Sequence, residues 1–208
     1  MPLATPRFLY FDLGNVLLNF DHDIACRNLA ALLGTTWEQI RSIVFETDLQ
    51  WRYERGDIST DELADELFRQ TGHHAPLAEM RRACAEIFEV NLPVVPIAGQ
   101  LRAAGYRLGI LSNTCDAHWQ HVFSRYRMLS EWFDVFALSY EIRSMKPEPQ
   151  IYAAAARLAG CAAGELFFVD DRADNVAGAR TAGLDAVQFT SARQLADDLR
   201  ERGLRFNY

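Results

Sequence analysis

The sequence predicts an α/β fold: a parallel sheet covered on both faces by helices, with a helical block inserted after the first strand. Three observations carry this expectation. Beyond residue 95, short and almost wholly apolar runs alternate with segments of helical spacing, as expected of parallel strands buried on both faces with helical crossovers. Residues 21–92 break that alternation and read as successive helices. Finally, the apolar runs end on polar groups, at the strand ends where such sheets bind ligands.

The first strand is the run 8–11, Phe-Leu-Tyr-Phe, which delivers Asp12 and then breaks at Gly14-Asn15. In the block, helices are expected over 23–33 (closed by Gly34), 36–45, 59–70 (closed by Gly72) and 77–90. Ser59 with Glu62 three residues on is a capping-box signature. The stretch 47–59, TDLQWRYERGDIS, reads as an interruption with a turn at Gly56. The alternating part then runs helix 96–104, strand 106–111, helix 117–126, strand 134–139 and helix 148–159. Strand 166–169, helix 175–182, strand 186–189 and a last helix 192–202 complete it. The expected organisation is an α/β unit of residues 1–20 and 93–208 and a helical unit of residues 21–92.

Composition narrows the function classes. A net charge of −7 with no basic block argues against nucleic acid or an anionic membrane as partner. Cys26, Cys84, Cys115 and Cys161 lie far apart with no C-x-x-C spacing, so reduced thiols in a cytoplasmic protein are expected rather than a disulfide framework. No stretch reaches the length of a membrane span. Of 21 basic residues, 20 are arginine, and Lys146 is the single lysine. A lone lysine marks a site that needs a compact ammonium, or else a stray surface charge.

Four strand ends or following loops carry polar groups: Asp12; Ser112-Asn113; Lys146; and Asp170-Asp171. Each alone fits a cap, a turn or a surface charge. Together, acids from two strand ends suit a hard cation such as Mg²⁺, and an ammonium and a hydroxyl suit a phosphate held against it. In order and spacing, FDLGNVL, ILSNT, MKPEPQIY and FFVDDRADNVAGARTAG resemble the four motifs of the haloacid dehalogenase (HAD) superfamily of phosphohydrolases, across residues 8–189. Within it, FDLGNV, YERGDIS, LSNT and KPE-x-x-IY are most similar to the bacterial α-glucose-1-phosphate phosphatases.

The resemblance implies a Rossmann-like parallel-sheet core with a small helical cap, acting as a Mg²⁺-dependent phosphatase on a small phosphorylated metabolite such as glucose 1-phosphate. It implies Asp12 as nucleophile, with Lys146 offsetting charge between nucleophile and phosphate. Ser112, the Asn113 backbone and Lys146 would bind the phosphoryl group. Asp12, the Gly14 carbonyl, Asp170 and Asp171 would hold the metal. A monomer or homodimer would suffice.

One position departs from the pattern. Two residues after the nucleophile most of these phosphatases carry a second aspartate as general acid and base, and here stands Gly14. Asp21, Asp23 and His118 are near enough in sequence to be considered as replacements, and none is assigned. An aspartate introduced at Gly14 is expected to speed turnover of substrates with poor leaving groups. The departure also admits a 2-haloacid dehalogenase, or a catalytically weak fold kept for binding or regulation; Asp170-Asp171 favours phosphoryl transfer. A phosphonatase would need a lysine in the cap, which has none. Trp51 and Tyr53 are candidates for facing a sugar. Trp37, Trp119 and Trp132 are expected to pack, and His73-His74 to lie on the surface.

Overall fold

The computed structural model describes residues 5–208, so the first four residues assigned to the α/β unit lie outside it. Strand β1 (Phe8–Phe11) is followed by β2 (Leu18–Phe20), then helices α1 (His22–Leu33), α2 (Trp37–Phe45), α3 (Leu49–Arg55), α4 (Thr60–Thr71) and α5 (Leu77–Ala85), and β3 (Phe88–Val90). The chain continues through α6 (Val95–Ala103), β4 (Leu108–Ser112), α7 (Asp116–Arg125), α8 (Arg127–Trp132), β5 (Val135–Leu138) and a short α9 (Ser139–Ile142). Helix α10 (Pro149–Ala159), β6 (Leu166–Asp170), α11 (Ala173–Thr181), β7 (Asp185–Gln188) and α12 (Ala192–Glu201) complete it.

The main sheet has the order β5-β4-β1-β6-β7 and is parallel throughout. Its strands are apolar on both faces because both faces are covered. Leu9, Phe11, Phe167 and Val169 join one core with Ile97, Leu101 and Leu195, while Phe8, Tyr10, Leu166 and Phe168 join the other with Ile151, Tyr152 and Val176. The period-2 alternation of a strand thus divides each apolar run between two helical layers. Gly109 in β4 is part of that packing: a Cβ there would come within 2.6 Å of the Tyr10 ring and 2.7 Å of the Phe8 ring.

The register decides where the site lies. Phe11 is level with Ile110 of β4 and Val169 of β6. The carboxyl ends of the three central strands therefore stop together, with Asp12 and Asp170 at the rim.

Helices α1 to α5 enclose a separate apolar cluster that includes Leu33, Ile40, Tyr53, Leu67 and Met80. The chain leaves and re-enters the main sheet through an antiparallel ribbon, with Leu18 opposite Val90 and Phe20 opposite Phe88. This corrects the expected helix 77–90, which ends at Ala85. The last three residues of that run extend because their pairing partner lies some seventy positions earlier, outside any local window. The stretch 47–59 is also corrected, since α3 forms within it. Leu49 and Tyr53, four apart, bury one face, and Gly56 ends the helix at φ +80°. Helix α8 was not expected either; it is a short element with Leu129 buried.

Other expectations hold. The Ser59–Glu62 capping box is formed in both directions. All four cysteines are free thiols, with Cys26, Cys84 and Cys115 buried. Trp119 and Trp132 pack on the core as expected, but the expectation that Trp37 packs is corrected: it lies 36% exposed at the start of α2. His73 and His74 are exposed. No helix of the described residues is long and apolar enough to cross a membrane.

Candidate active site

The end of β1 turns sharply. The Asp12 N–H still donates to Val169 O at 2.9 Å, extending the strand by one residue. The chain then folds back, with Leu18 N–H on Leu13 O at 2.8 Å and Asn15 N–H on Leu18 O at 2.7 Å. Asn15 takes φ +55°, a left-handed conformation that asparagine tolerates better than most residues. Its side-chain amide donates to Asp171 Oδ2 at 3.0 Å, so the turn after β1 and the end of β6 are tied together.

Asp12, Asp170 and Asp171 meet here: one carboxylate oxygen from each lies within 4.8 Å of the others. Lys146, brought in from the loop before α10, stands between two of them. Its Nζ is 2.8 Å from Asp12 Oδ1 and 2.6 Å from Asp170 Oδ2, and donates to Leu111 O at 3.0 Å. Lys146 is thus a buried ammonium with its three protons committed, not a stray surface charge.

Two further contacts hold that loop. Asn113 bridges the Lys146 backbone, its Nδ2 donating to Lys146 O at 3.0 Å while Oδ1 accepts Lys146 N–H at 2.8 Å. Gly178 lets α11 close on the loop, since a Cβ there would lie 2.7 Å from Pro147 Cβ. With the Asn113 side chain so engaged, its backbone N–H is left for a ligand, beside the Ser112 hydroxyl, which here donates to Asn113 O at 3.3 Å. Ser112 is 2% exposed at the last position of β4.

Asp170 is saturated by the protein. Oδ1 accepts the Arg172 N–H at 2.8 Å and Asn175 Nδ2 at 3.0 Å, and Oδ2 accepts Lys146 and Asn175 Nδ2 at 3.0 Å. Asp12 keeps one oxygen open. Its Oδ1 accepts Leu13 N–H at 2.7 Å and Lys146, while Oδ2 has no hydrogen-bond partner among the described residues.

Burial pushes the Asp12 carboxyl upward, and the Lys146 ammonium pulls against that. Burial likewise disfavours the ammonium, but Asp12 and Asp170 outweigh it and hold Lys146 above its usual value. Three carboxylates and one ammonium leave a formal charge of −2 among oxygen donors, which is the charge and chemistry of a Mg²⁺ site. Gly14, two residues after Asp12, lines a small chamber of about 30 Å³ with Ser112, Thr114 and His118.

Of the groups considered as substitutes for the missing aspartate, Asp21 is exposed and caps α1 by accepting Asp23 N–H at 2.8 Å. Asp23 pairs with Arg41 at 2.8 Å. His118 does reach the chamber, but its Nε2 is bound to Cys84 O at 3.2 Å. Burial, with His22 beside it, lowers His118 to about 4. Because the unfolded chain takes up this proton near pH 6.5 and the folded one only near 4, stability present above pH 6.5 is lost as pH falls towards 4. The loss is at most about 3 kcal/mol. His118→Gln is expected to flatten the decline of Tm between those limits relative to wild type, and parallel curves would show that His118 does not titrate this way.

The packing opposes the gain expected of Gly14→Asp. Gly14 is not in a left-handed conformation; it is crowded, with a Cβ falling 2.6 Å from Phe20 Cε1. Phe20 fills the space that a second aspartate would need.

Residues 8–183 match the family model for haloacid dehalogenase-like hydrolases. The chain belongs to that family. The D-ribitol-5-phosphate phosphatase of Bacteroides thetaiotaomicron is 25% identical to this HAD-like hydrolase over 189 residues, 86% of this chain and 90% of that one. A HAD family enzyme of the same organism, solved as a magnesium complex, superposes with a TM-score of 0.79 at 26% identity, covering 95% of this chain and 100% of the other. Solved with magnesium and inorganic phosphate, that enzyme gives 0.75 at 27% identity, covering 89% and 95%.

Sequence reasoning did not assign roles to Asn15, Asn175 or Phe20. Asn15 and Asn175 lie inside the motifs, but their partners are visible only in space.

Proposed function

We propose that the protein is a Mg²⁺-dependent phosphatase of small polyol or sugar phosphates, working through an aspartyl-phosphate on Asp12. The observation that carries this is the junction of Asp12, Asp170 and Asp171 with the buried Lys146 ammonium at one sheet rim. Asp12 Oδ attacks phosphorus as the bond to the leaving oxygen breaks; water then attacks phosphorus and releases phosphate, restoring the carboxylate. Lys146 and the Asn113 N–H with the Ser112 hydroxyl offset phosphoryl charge, without which a carboxylate and a phosphate repel. Asp12, Asp171 and the Gly14 carbonyl would hold the Mg²⁺, with the saturated Asp170 helping through water, and the ion would supply further charge neutralisation. Strand ends fix the in-line geometry.

A cleft of about 870 Å³ that reaches Asn113 and Lys146 supports this substrate class. Its walls include Thr47, Gln50 and Trp51 from the helical block, which acts as a cap, and Arg172 and Asp174 from the core. Trp51 is 48% exposed, with the Arg55 guanidinium over its ring at 4.8 Å. An exposed indole among hydrogen-bonding groups suits a hydroxylated carbon chain or ring. The likeness to a ribitol-phosphate phosphatase points the same way. Free thiols and the acidic surface fit a cytoplasmic location.

The test is phosphate release from ribitol 5-phosphate, glyceraldehyde 3-phosphate, glucose 1-phosphate and other short sugar phosphates, with Mg²⁺ or with EDTA. Release that stops with EDTA and returns with Mg²⁺ is expected. Full activity after chelation, or halide release from 2-chloropropionate in its place, would overturn the reading.

A further inference from the structure

We propose that Glu54, carried by α3, is the general acid and base that replaces the side chain missing at Gly14. The inference rests on the phosphatase reading above and names the group that handles the leaving-group proton.

Glu54 and Asn113 line both cavities, and of the two only Glu54 carries a titratable side chain. It lines the broad cleft together with Lys146 and Asn113, and the small chamber together with Gly14 and Ser112. A leaving group lying in the cleft beside Lys146 shares that space with this carboxyl. The chamber is also lined by Thr114, whose Oγ1 is the one buried side-chain polar atom without a hydrogen bond among the described residues.

The carboxyl is held on one side only. Gln50 Nε2 donates to Oε1 at 2.5 Å, and Oε2 has no partner among the described residues. Burial raises the Glu54 carboxyl above its usual range, against the pull of Gln50, Lys146 and Arg172. That favours the protonated acid the first step requires.

Helix α3 is fixed to the core rather than free to swing. Ser139, fully buried at the end of β5, donates its hydroxyl to the Glu54 carbonyl at 2.6 Å. The next residue, Arg55, forms an ion pair with Glu148 of the loop carrying Lys146. Gly56 then sits on the core backbone, where a Cβ would clash with Tyr140 O, in a conformation of φ +80°. The Glu-Arg-Gly sequence is thus a docking element that places the acid. Phe20 crowds position 14, and Glu54 lines the same chamber from α3.

In the first half-reaction the Glu54 proton passes to the leaving oxygen as its bond to phosphorus breaks and the Asp12–phosphorus bond forms. In the second, the Glu54 carboxylate takes a proton from water as that water's oxygen bonds phosphorus and the Asp12–phosphorus bond breaks. Glu54 is then protonated again and the products are phosphate and alcohol.

Rapid-mixing kinetics with Mg²⁺ on wild type and Glu54→Gln test this. With p-nitrophenyl phosphate, whose leaving phenolate needs no proton, the variant should keep a nitrophenolate burst within about threefold of the wild-type rate constant and then turn over slowly. With a sugar phosphate, phosphoenzyme formation should fall about 10²-fold or more. Equal losses on both substrates, as a merely positioning side chain would give, or no loss on either, would overturn the proposal. Glu54→Asp, which keeps the acid on a shorter arm, should recover part of the sugar-phosphate rate; recovery no better than glutamine counts against the proposal. A wild type that releases phosphate from neither substrate would instead overturn the phosphatase reading itself.

Discussion

Asp12→Asn is expected to lower kcat by at least about 10⁴-fold, as removal of a catalytic nucleophile does elsewhere. The fold should survive. Asparagine keeps an Oδ1 that can accept the Leu13 N–H and Lys146 contacts of 2.7 and 2.8 Å. It also removes a charge that burial disfavours, so Tm without Mg²⁺ should hold or rise slightly. What should shrink is the rise in Tm on adding Mg²⁺, because one of three carboxylate donors has lost its charge. Thermal melts with and without Mg²⁺, alongside phosphate release, read both effects. A variant turning over near the wild-type rate would end the aspartyl-phosphate mechanism.

Lys146→Arg is expected to cost about 10²–10³-fold in kcat/KM, comparable to losing a preorganised charge-stabilising donor. The side chain is 1% exposed and its ammonium touches three acceptors at 2.6–3.0 Å. A planar guanidinium cannot meet those three from one point, and the enclosed loop leaves no room to retreat. Lys146→Met separates charge from shape. It leaves Asp12 and Asp170 buried without their cation, which should destabilise the fold by about 3–5 kcal/mol. Added Mg²⁺ should restore part of that loss by supplying positive charge to the same carboxylates. An arginine variant near wild-type rate, or a methionine variant as stable as wild type without Mg²⁺, would remove Lys146 from this role.

Much of this arrangement was legible from local pattern. The apolar run ending at Asp12 and the run ending at Asp170-Asp171 announced buried strands with acids at their ends, and parallel pairing makes such ends coincide. Lys146 stood out by being the single lysine among arginines. Asn175 was less legible: inside its motif it reads as an ordinary helix residue, and its bond to both oxygens of Asp170 is a matter of how α11 turns back on β6. Residues 88–90 read locally as the end of a helix because their strand partner β2 lies outside any local window.

The sequence by itself determined the α/β class, the helical block after the first strand and the set of polar groups at the strand ends. Each of these depends on spacing of 2 or about 3.6 residues within one element, or on residue type at its end. Only the tertiary structure decided that Phe20 takes the space beside Gly14, that α3 docks through Ser139 and Gly56, and that Glu54 reaches both cavities. Those outcomes turn on which surfaces of different elements meet. Close packing admits one side chain to each space, and the residue that claims it can come from anywhere in the chain.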